Sequence, residues 1–245
     1  HKTSIACFGG YIFVFNIILF FLYSLFTNDI NFFNYDYYSS RRAGFSFFVI
    51  IILFFFLGIL DDKYKLSSNK KLILQFLLVS FAILIDDNMV IKSLKFSNRI
   101  EISLLNLSFL FTVLSFLIFI NALNMFDGIN NQTSIYVFIM CMFILYKIPN
   151  TYLIYQILIA NCFFLYFNLQ NKLFLGDNGS LVLGYLFANF FTKSHNLDNQ
   201  IYADEIVIIM FFPVMDLLRL FFKRLIINKH PFSGDKNHLH HRLSN

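Results

Sequence analysis

The amino-acid sequence predicts an all-α fold: a polytopic transmembrane helical bundle of about eight spans, forming a single domain over residues 1–245. Three observations predict it. The chain is 58% hydrophobic and 13% charged, with mean hydropathy +0.66, whereas a soluble domain carries about 25% charged residues. Apolar runs near the roughly 20 residues that cross a bilayer recur along its whole length. The polar clusters between these runs fall, by parity, on one membrane face. Open strands in lipid would leave backbone groups unpaired, and the alternation a membrane barrel needs is missing.

The runs cover residues 10–26, 45–60, 72–85, 107–122, 134–146, 152–167, 181–191 and 206–222. Counting sides from a cytoplasmic start, Asp61-Asp62, 121–131, 176–180 and 230–242 share one face. Lys63, Lys65, Lys70, Lys71, Lys172, Lys223, Arg224, Lys229, Lys236 and Arg242 lie there too. The positive-inside rule makes that face cytoplasmic. Arg41, Arg42, Lys92, Lys95 and Arg99 fall on the other face, so the rule is only mildly obeyed. On that outer face, 89–96 is expected to form a small hairpin and Asp86-Asp87 a solvated loop. Cys7, Cys141 and Cys162 are scattered, without disulfide or zinc spacing. No signal peptide is read, because one lysine and no small-residue cleavage pattern precede or follow the first run. The chain starts at His1 and ends just after a histidine cluster, so both ends are expected to be cut.

Four stretches carry chemistry. Phe174-Leu-Gly-Asp-Asn-Gly-Ser180 places Asp177 between Gly176 and Gly179. Glycines allow close backbone approach to a ligand, and a helix opening near Ser180 would aim its positive end at a phosphate. An acid there suits a bridging Mg²⁺; the plainer reading is a glycine-capped loop. Asp61-Asp62 closes an apolar run, where carboxylates oppose the helix dipole and invite a cation, either Mg²⁺ or Lys63, Lys65 and Lys71. Asn121, Asn124 and Asp127 recur every three residues, hence on one helical stripe. They suit a nucleobase, a ribose or a metal, or else helix capping with Gly128 at the end and Asn130 or Asn131 leading onward. The stretch 230–242 offers His238, His240, His241, Lys236 and Arg242 to a diphosphate. Asp216 and Arg219 sit inside the last apolar run at a spacing that allows an internal ion pair, with Pro213 adding a kink.

With these stretches on one face, the chain resembles the polyprenyl-phosphate N-acetylhexosamine-1-phosphate transferases, the bacterial membrane enzymes of glycosyltransferase family 4 that begin cell-wall and surface-polysaccharide lipid carriers. The likeness covers nearly the whole chain. Residues 1–10 are similar to the family's first cytoplasmic loop. Leu60-Asp61-Asp62 matches its acid pair, and Lys71 to Gln75 its Lys-x-x-x-Gln. Asn121 to Gly128 matches Asn-x-x-Asn-x-x-Asp-Gly, Phe174 to Gly184 matches Phe-x-Gly-Asp-x-Gly-Ser-x-x-x-Gly, and His238 to His241 matches His-x-His-His. Pro213-x-x-Asp216, Arg224, Pro231-Phe-Ser and Asp235 to Leu243 resemble the GlcNAc-1-phosphate branch more than the MurNAc-pentapeptide branch. Cys7 stands where many relatives carry Arg, and Asn130 where many carry Asp. The resemblance implies a further helix before His1 and more chain after Asn245.

The resemblance also implies an activity. An oxygen of a polyprenyl phosphate, undecaprenyl phosphate in a bacterial inner membrane, attacks the β-phosphate of a UDP-N-acetylhexosamine and releases UMP. UDP-GlcNAc is the default donor. The implied cofactor is Mg²⁺, with Mn²⁺ as substitute, on Asp177 first and Asp127. Asp61, Asp62, Asp127, His238, His240 and His241 form the implied catalytic set. Asp61 or Asp62 would position or deprotonate the lipid phosphate, and positioning is favoured because that phosphate is largely ionised near neutral pH. Lys71, Asn121, Asn124, Gly176, Asn178, Gly179, Ser180 and Arg242 would bind substrate. A homodimer is implied as well. The rival readings are a secondary transporter, whose site belongs near the bilayer midplane on broken helices, and an inactive, truncated family member.

Overall fold

The structure, a computed structural model, describes residues 8–27, 41–128, 131–149, 151–197 and 200–226. It contains α1 (Gly9–Thr27), α2 (Arg41–Tyr64), α3 (Ser68–Ile85), a hairpin of β1 (Ser93–Lys95) and β2 (Glu101–Ser103), α4 (Ser108–Phe126), α5 (Gln132–Lys147), α6 (Tyr152–Leu169), α7 (Gly176–Asn196) and α8 (Ala203–Ile226). Each predicted run is a helix. Four of them are long and apolar enough to cross a membrane by length and composition, over Arg42–Tyr64, Ser68–Ile85, Leu105–Phe126 and Tyr152–Leu169; Gly9–Ser24 and Gln132–Lys147 are shorter apolar helices. The architecture is thus the expected all-α membrane bundle.

The centre of the bundle is α7, packed on α2, α4 and α1. Every residue from Asn178 to His195 is buried. This explains why the sequence placed its ends badly. The predicted run 181–191 is the apolar middle, and the polar residues at both helix ends are enclosed by protein rather than by water or lipid. The outer ring consists of α8 against α4, α3 against α2 and α4, and the α5–α6 pair, with α6 resting on α1. Outward residues such as Phe15, Leu84, Phe163 and Phe212 are exposed, as a lipid-facing surface requires. Exposed tyrosines sit near the two helix ends: Tyr11, Tyr64 and Tyr166 toward one, Tyr23, Tyr146, Tyr152 and Tyr155 toward the other. Amphipathic rings prefer such headgroup levels.

Packing at one end of α7 is set by backbone approach. A Cβ on Gly58 of α2, or on Gly10 of α1, would overlap the Asn178 backbone. Backbone hydrogen bonds from Gly9 N–H to Phe174 O (2.9 Å) and from Gly10 N–H to Leu175 O (3.3 Å) fasten α1 to the chain entering α7. Within the α5–α6 pair, buried Asn161 accepts from the Ser134 hydroxyl and donates to the Ser134 carbonyl, both at 2.9 Å. Asn131, in the left-handed region at φ 67°, leads into α5 as one of the expected positions, and its N–H donates to Asn168 Oδ1 at 2.7 Å.

Three expectations about the outer loops and α8 meet the structure. The hairpin exists, but it pairs Ser93 with Ser103, Leu94 with Ile102 and Lys95 with Glu101, so it extends beyond 89–96. Asp216 and Arg219 do form the i,i+3 pair, at 2.6 Å. The solvated-loop reading of Asp86-Asp87 is corrected. Asp87 is exposed, but Asp86 is 1% exposed and pairs at 2.5 Å with Lys193, also 1% exposed. A carboxylate buried that deeply requires a charge partner, and its partner lies more than a hundred residues away on α7.

Gly58→Ala is expected to destabilise the fold by about 1–3 kcal/mol, the usual range for overpacking, because the new methyl meets backbone. Gly128→Ala meets nothing closer than 3.8 Å and should be neutral. Heating each variant in detergent and following the monodisperse fraction by size-exclusion fluorescence checks the contrast.

Candidate active site

The chemistry-bearing residues arrive from four helices that end at the same side of the bundle. The final turn of α2 supplies Asp61 and Asp62, the first turn of α3 supplies Lys71, the end of α4 supplies Asn124 and Asp127, and the first turn of α7 supplies Asp177. The acid pair lies in the last turn of α2, at the helix C-terminus where it was expected; Asp61 holds Lys71 and Asp62 holds the start of α7.

Asp61 closes the α2–α3 turn. One oxygen accepts from the Leu66 N–H at 2.9 Å and the other meets Lys71 Nζ at 2.6 Å. Asp62 reaches across to α7. Its carboxylate accepts from the Asp177 N–H (3.0 Å), the Asn178 N–H (3.2 Å) and Asn178 Nδ2 (2.6 Å). The residue preceding α7, Leu175, offers no side-chain cap, so Asp62 acts as the cap from another helix. An acid at the C-terminal end of α2 costs about 0.3–1 kcal/mol against the dipole. Hydrogen bonds to a charged group contribute about 1.5–3 kcal/mol each, so the capping role wins.

This arrangement corrects one expectation. The positive end of the helix does not open near Ser180; it opens at Gly176, whose φ of 72° makes the turn. Its Asp177 and Asn178 N–H groups are taken by Asp62 rather than left for a phosphate. Asn178, Gly179 and Ser180, the expected substrate-binding residues that follow, are buried. Asn178 holds Asp62, Gly179 packs on Gly10, and Ser180 accepts from Asn124 Nδ2 at 2.7 Å.

Lys71 and Asn124 join the parts. Lys71 Nζ donates to Asn124 Oδ1 at 3.0 Å and lies 3.4 Å from Asp177. Asn124 Nδ2 donates to Asp177 Oδ1 at 2.5 Å. Asn121 is not in this cluster. One turn deeper, it donates to Gln75 Oε1 at 2.7 Å and to the Leu117 carbonyl at 2.8 Å, so it braces α4 against α3. Gln75, fully buried, was quoted only as part of a motif; its spacing of four from Lys71 was the signal that it shares Lys71's face. Asp127 caps α4, just beyond the membrane-crossing run. Burial pushes its carboxyl up to about 8, and the charges of Asp177 and Asp62 push the same way. His238, His240, His241 and Arg242 lie outside the described residues, as do Cys7, Asn130 and the first loop up to residue 7.

Within the cluster itself four carboxyl groups, of Asp61, Asp62, Asp127 and Asp177, accompany one lysine, Lys71. Among the described residues no three Asp, Glu, His or Cys side chains converge as a ready-made metal cage. The Asp177 side chain is 34% exposed, that of Asp61 9%.

The model of the family described as "Glycosyl transferase family 4" matches residues 44–195, the span that contains the whole of this cluster. The chain belongs to glycosyl transferase family 4. Among its relatives in that family is a Bacillus subtilis protein named probable undecaprenyl-phosphate N-acetylglucosaminyl 1-phosphate transferase. It is 31% identical over 197 residues, 76% of this chain and 54% of its own. A Thermotoga maritima undecaprenyl-phosphate alpha-N-acetylglucosaminyl 1-phosphate transferase is 31% identical over 199 residues, 81% of this chain and 61% of its own. An Escherichia coli O157:H7 protein of the same name is 27% identical over 205 residues, 77% of this chain and 54% of its own. The matched part therefore spans between half and two thirds of these family 4 relatives.

The raised Asp127 gives a pH prediction. Its folded value, about 8, exceeds the ordinary 3.8, so between these values the folded protein binds more protons than the unfolded one. The contribution of Asp127 to the stability of the metal-free protein therefore falls as pH rises through that window, and Asp127→Asn removes that contribution. Melting temperatures in EDTA between pH 5.5 and 8.5, with and without the substitution, measure it.

Proposed function

We propose that this chain transfers N-acetylhexosamine-1-phosphate from a UDP-sugar, UDP-GlcNAc first, to a polyprenyl phosphate, undecaprenyl phosphate in a bacterial inner membrane, with release of UMP. One observation carries the reading: Asp61, Lys71, Asn124 and Asp177, from four separate helices, meet at one end of a membrane bundle. Both rivals are less favoured. A transporter would place such groups near the bilayer midplane, and a decayed relative would have little reason to keep this mesh. The names of the family 4 relatives supply the substrate class. The lysines Lys63, Lys65, Lys70, Lys172 and Lys223 at the same end support a cytoplasmic site.

In this reading a phosphate oxygen of the lipid attacks the sugar-bearing phosphorus of the donor. The bond from that phosphorus to the bridging oxygen breaks, and the pair of electrons leaves on UMP. A lipid monophosphate is largely dianionic at neutral pH, so no side chain has to remove a proton. Lys71 faces the developing phosphate charge and is itself held by Asp61 and Asn124. Asp62 fixes the α7 N-terminus and with it Asp177. Asp177 and Asp127 would hold the Mg²⁺, with Mn²⁺ as a substitute, which when bound neutralises the diphosphate and the leaving group. His238, His240, His241 and Arg242 are proposed to bind phosphates.

Purified protein in detergent, given undecaprenyl phosphate, Mg²⁺ and a panel of UDP-N-acetylhexosamines, should release UMP with one preferred sugar. EDTA should abolish release. Asp177→Asn and Lys71→Met should each lower it by about 10²-fold or more, as for loss of one preorganised charge in an active site. Unchanged Mg²⁺-dependent turnover in Asp177→Asn would contradict the assignment.

A further inference from the structure

At the end of the bundle opposite the site lies the buried Asp86–Lys193 pair. We infer that it is a positioning device for Lys71: by fastening the far end of α3 to α7, it sets where the near end of α3 delivers the Lys71 ammonium.

Of the 18 residues of α3 only Gln75, Val79, Ala82 and Ile83 are buried. Ile73, Leu74, Phe76, Leu77, Phe81 and Leu84 are exposed on the outside of the bundle. A helix with so narrow a packed seam is poorly fixed in height and tilt by side-chain packing. Its polar contacts supply the missing constraint, and they lie at defined heights. Lys71 is in the first turn, Gln75 meets Asn121 one turn on, and Asp86 is the C-terminal cap. Asp86 is 15 residues from Lys71, or about 22 Å along the axis at 1.5 Å per residue.

The far end is fastened by more than one bond, several of them to α7. Asp86 Oδ2 meets Lys193 Nζ at 2.5 Å, and Asp86 Oδ1 accepts from the Asn88 N–H at 3.2 Å. Asn196 Nδ2 donates to the carbonyls of Asn88 (2.7 Å) and Val90 (3.1 Å). Asn189 Nδ2 lies 3.4 Å from Met89 Sδ. α7 is a sound anchor, because it is buried along nearly its whole length and its start is clamped by Asp62, Gly10 and Gly58. The contacts therefore close a ring: α2 to α7 through Asp62, α7 to α3 through Lys193 and Asp86, and α3 back to α2 through Lys71 and Asp61.

Energetics say why the link is ionic. A buried ion pair contributes little net stability beside an apolar pair of the same volume, but it tolerates few alternative geometries. A pair kept at 1% exposure, on the face away from the chemistry, is best explained by the position it enforces. Rigid elements carry a displacement along their axis, and a misplacement of about 1 Å at a reacting group can cost 10²-fold in rate.

The inference rests on the transferase reading only for its turnover arm, so the experiment carries a second arm that needs no activity. Spin labels at Lys70→Cys on α3 and Tyr166→Cys on α6, in a cysteine-free background of the full chain, report the height of the α3 start by pulsed electron resonance. Asp86→Asn should shift or broaden that distance and lower turnover per folded molecule about tenfold or more. If Asp86→Asn does not fold, the double variant Asp86→Leu with Lys193→Met leaves no unpaired buried charge, and it should fold yet show the same displaced distance and reduced turnover. A parent-like distance in either folded variant overturns the proposal, as does parent-like turnover per folded molecule. If the parent chain releases no UMP from any UDP-sugar, the transferase reading fails on its own, and the distance arm still decides the inference.

Discussion

The interaction on which the rest of the structure depends is the carboxylate of Asp62 on the first turn of α7. A helix at the centre of a membrane bundle has a difficult beginning, because its first amides lack helical partners and neither water nor lipid surrounds them. Asp62 resolves this with three hydrogen bonds from a different helix. In doing so it ends α2 against α7 at the point where Gly58 and Gly10 allow the backbones to meet. The same contact fixes the direction of Asp177, the next acid along. One carboxylate thus joins fold and site, and its own unfavourable place at the end of α2 is outweighed by the N-terminal dipole it caps.

From that contact the site extends through Lys71 and Asn124. Lys71 touches Asp61, Asn124 and Asp177; Asn124 touches Lys71, Asp177 and Ser180. Of the acid pair, Asp62 serves the helix and Asp61 serves the lysine. Asp177 and Asp127 are the acids proposed to hold the cation. Family 4 chemistry, as proposed for this chain, needs little more: phosphate that arrives already ionised, a cation between carboxylates, and a lysine that cannot drift.

Much of this was legible in the sequence, for identifiable reasons. Hydropathy read the helices because lipid-facing residues must be apolar, and parity read the faces because successive helices reverse direction. Asp61, Lys71, Asn124 and Asp177 were readable because the motifs hold them at helical spacing near helix ends. What was illegible depended on partners distant in sequence. The start of α7 moved back to Gly176 because its cap is Asp62, 115 positions earlier. The polar partners of Asn178 and Ser180, Asp62 and Asn124, are likewise distant in sequence. Asp86 looked solvated until Lys193 closed over it. The lone lysine late in the apolar run of α7 was the available hint, since a charge held inside a bundle needs an opposite charge nearby.

Asp62, and not substrate phosphate, occupies the amides that open α7. A structure of the full-length protein with UDP-GlcNAc and Mg²⁺ bound tests this. The diphosphate is expected beside Lys71 and Asp177, with Asp62 still accepting from the Asp177 and Asn178 N–H groups. A diphosphate seated on those two N–H groups, with the Asp62 carboxylate displaced from them, would contradict it.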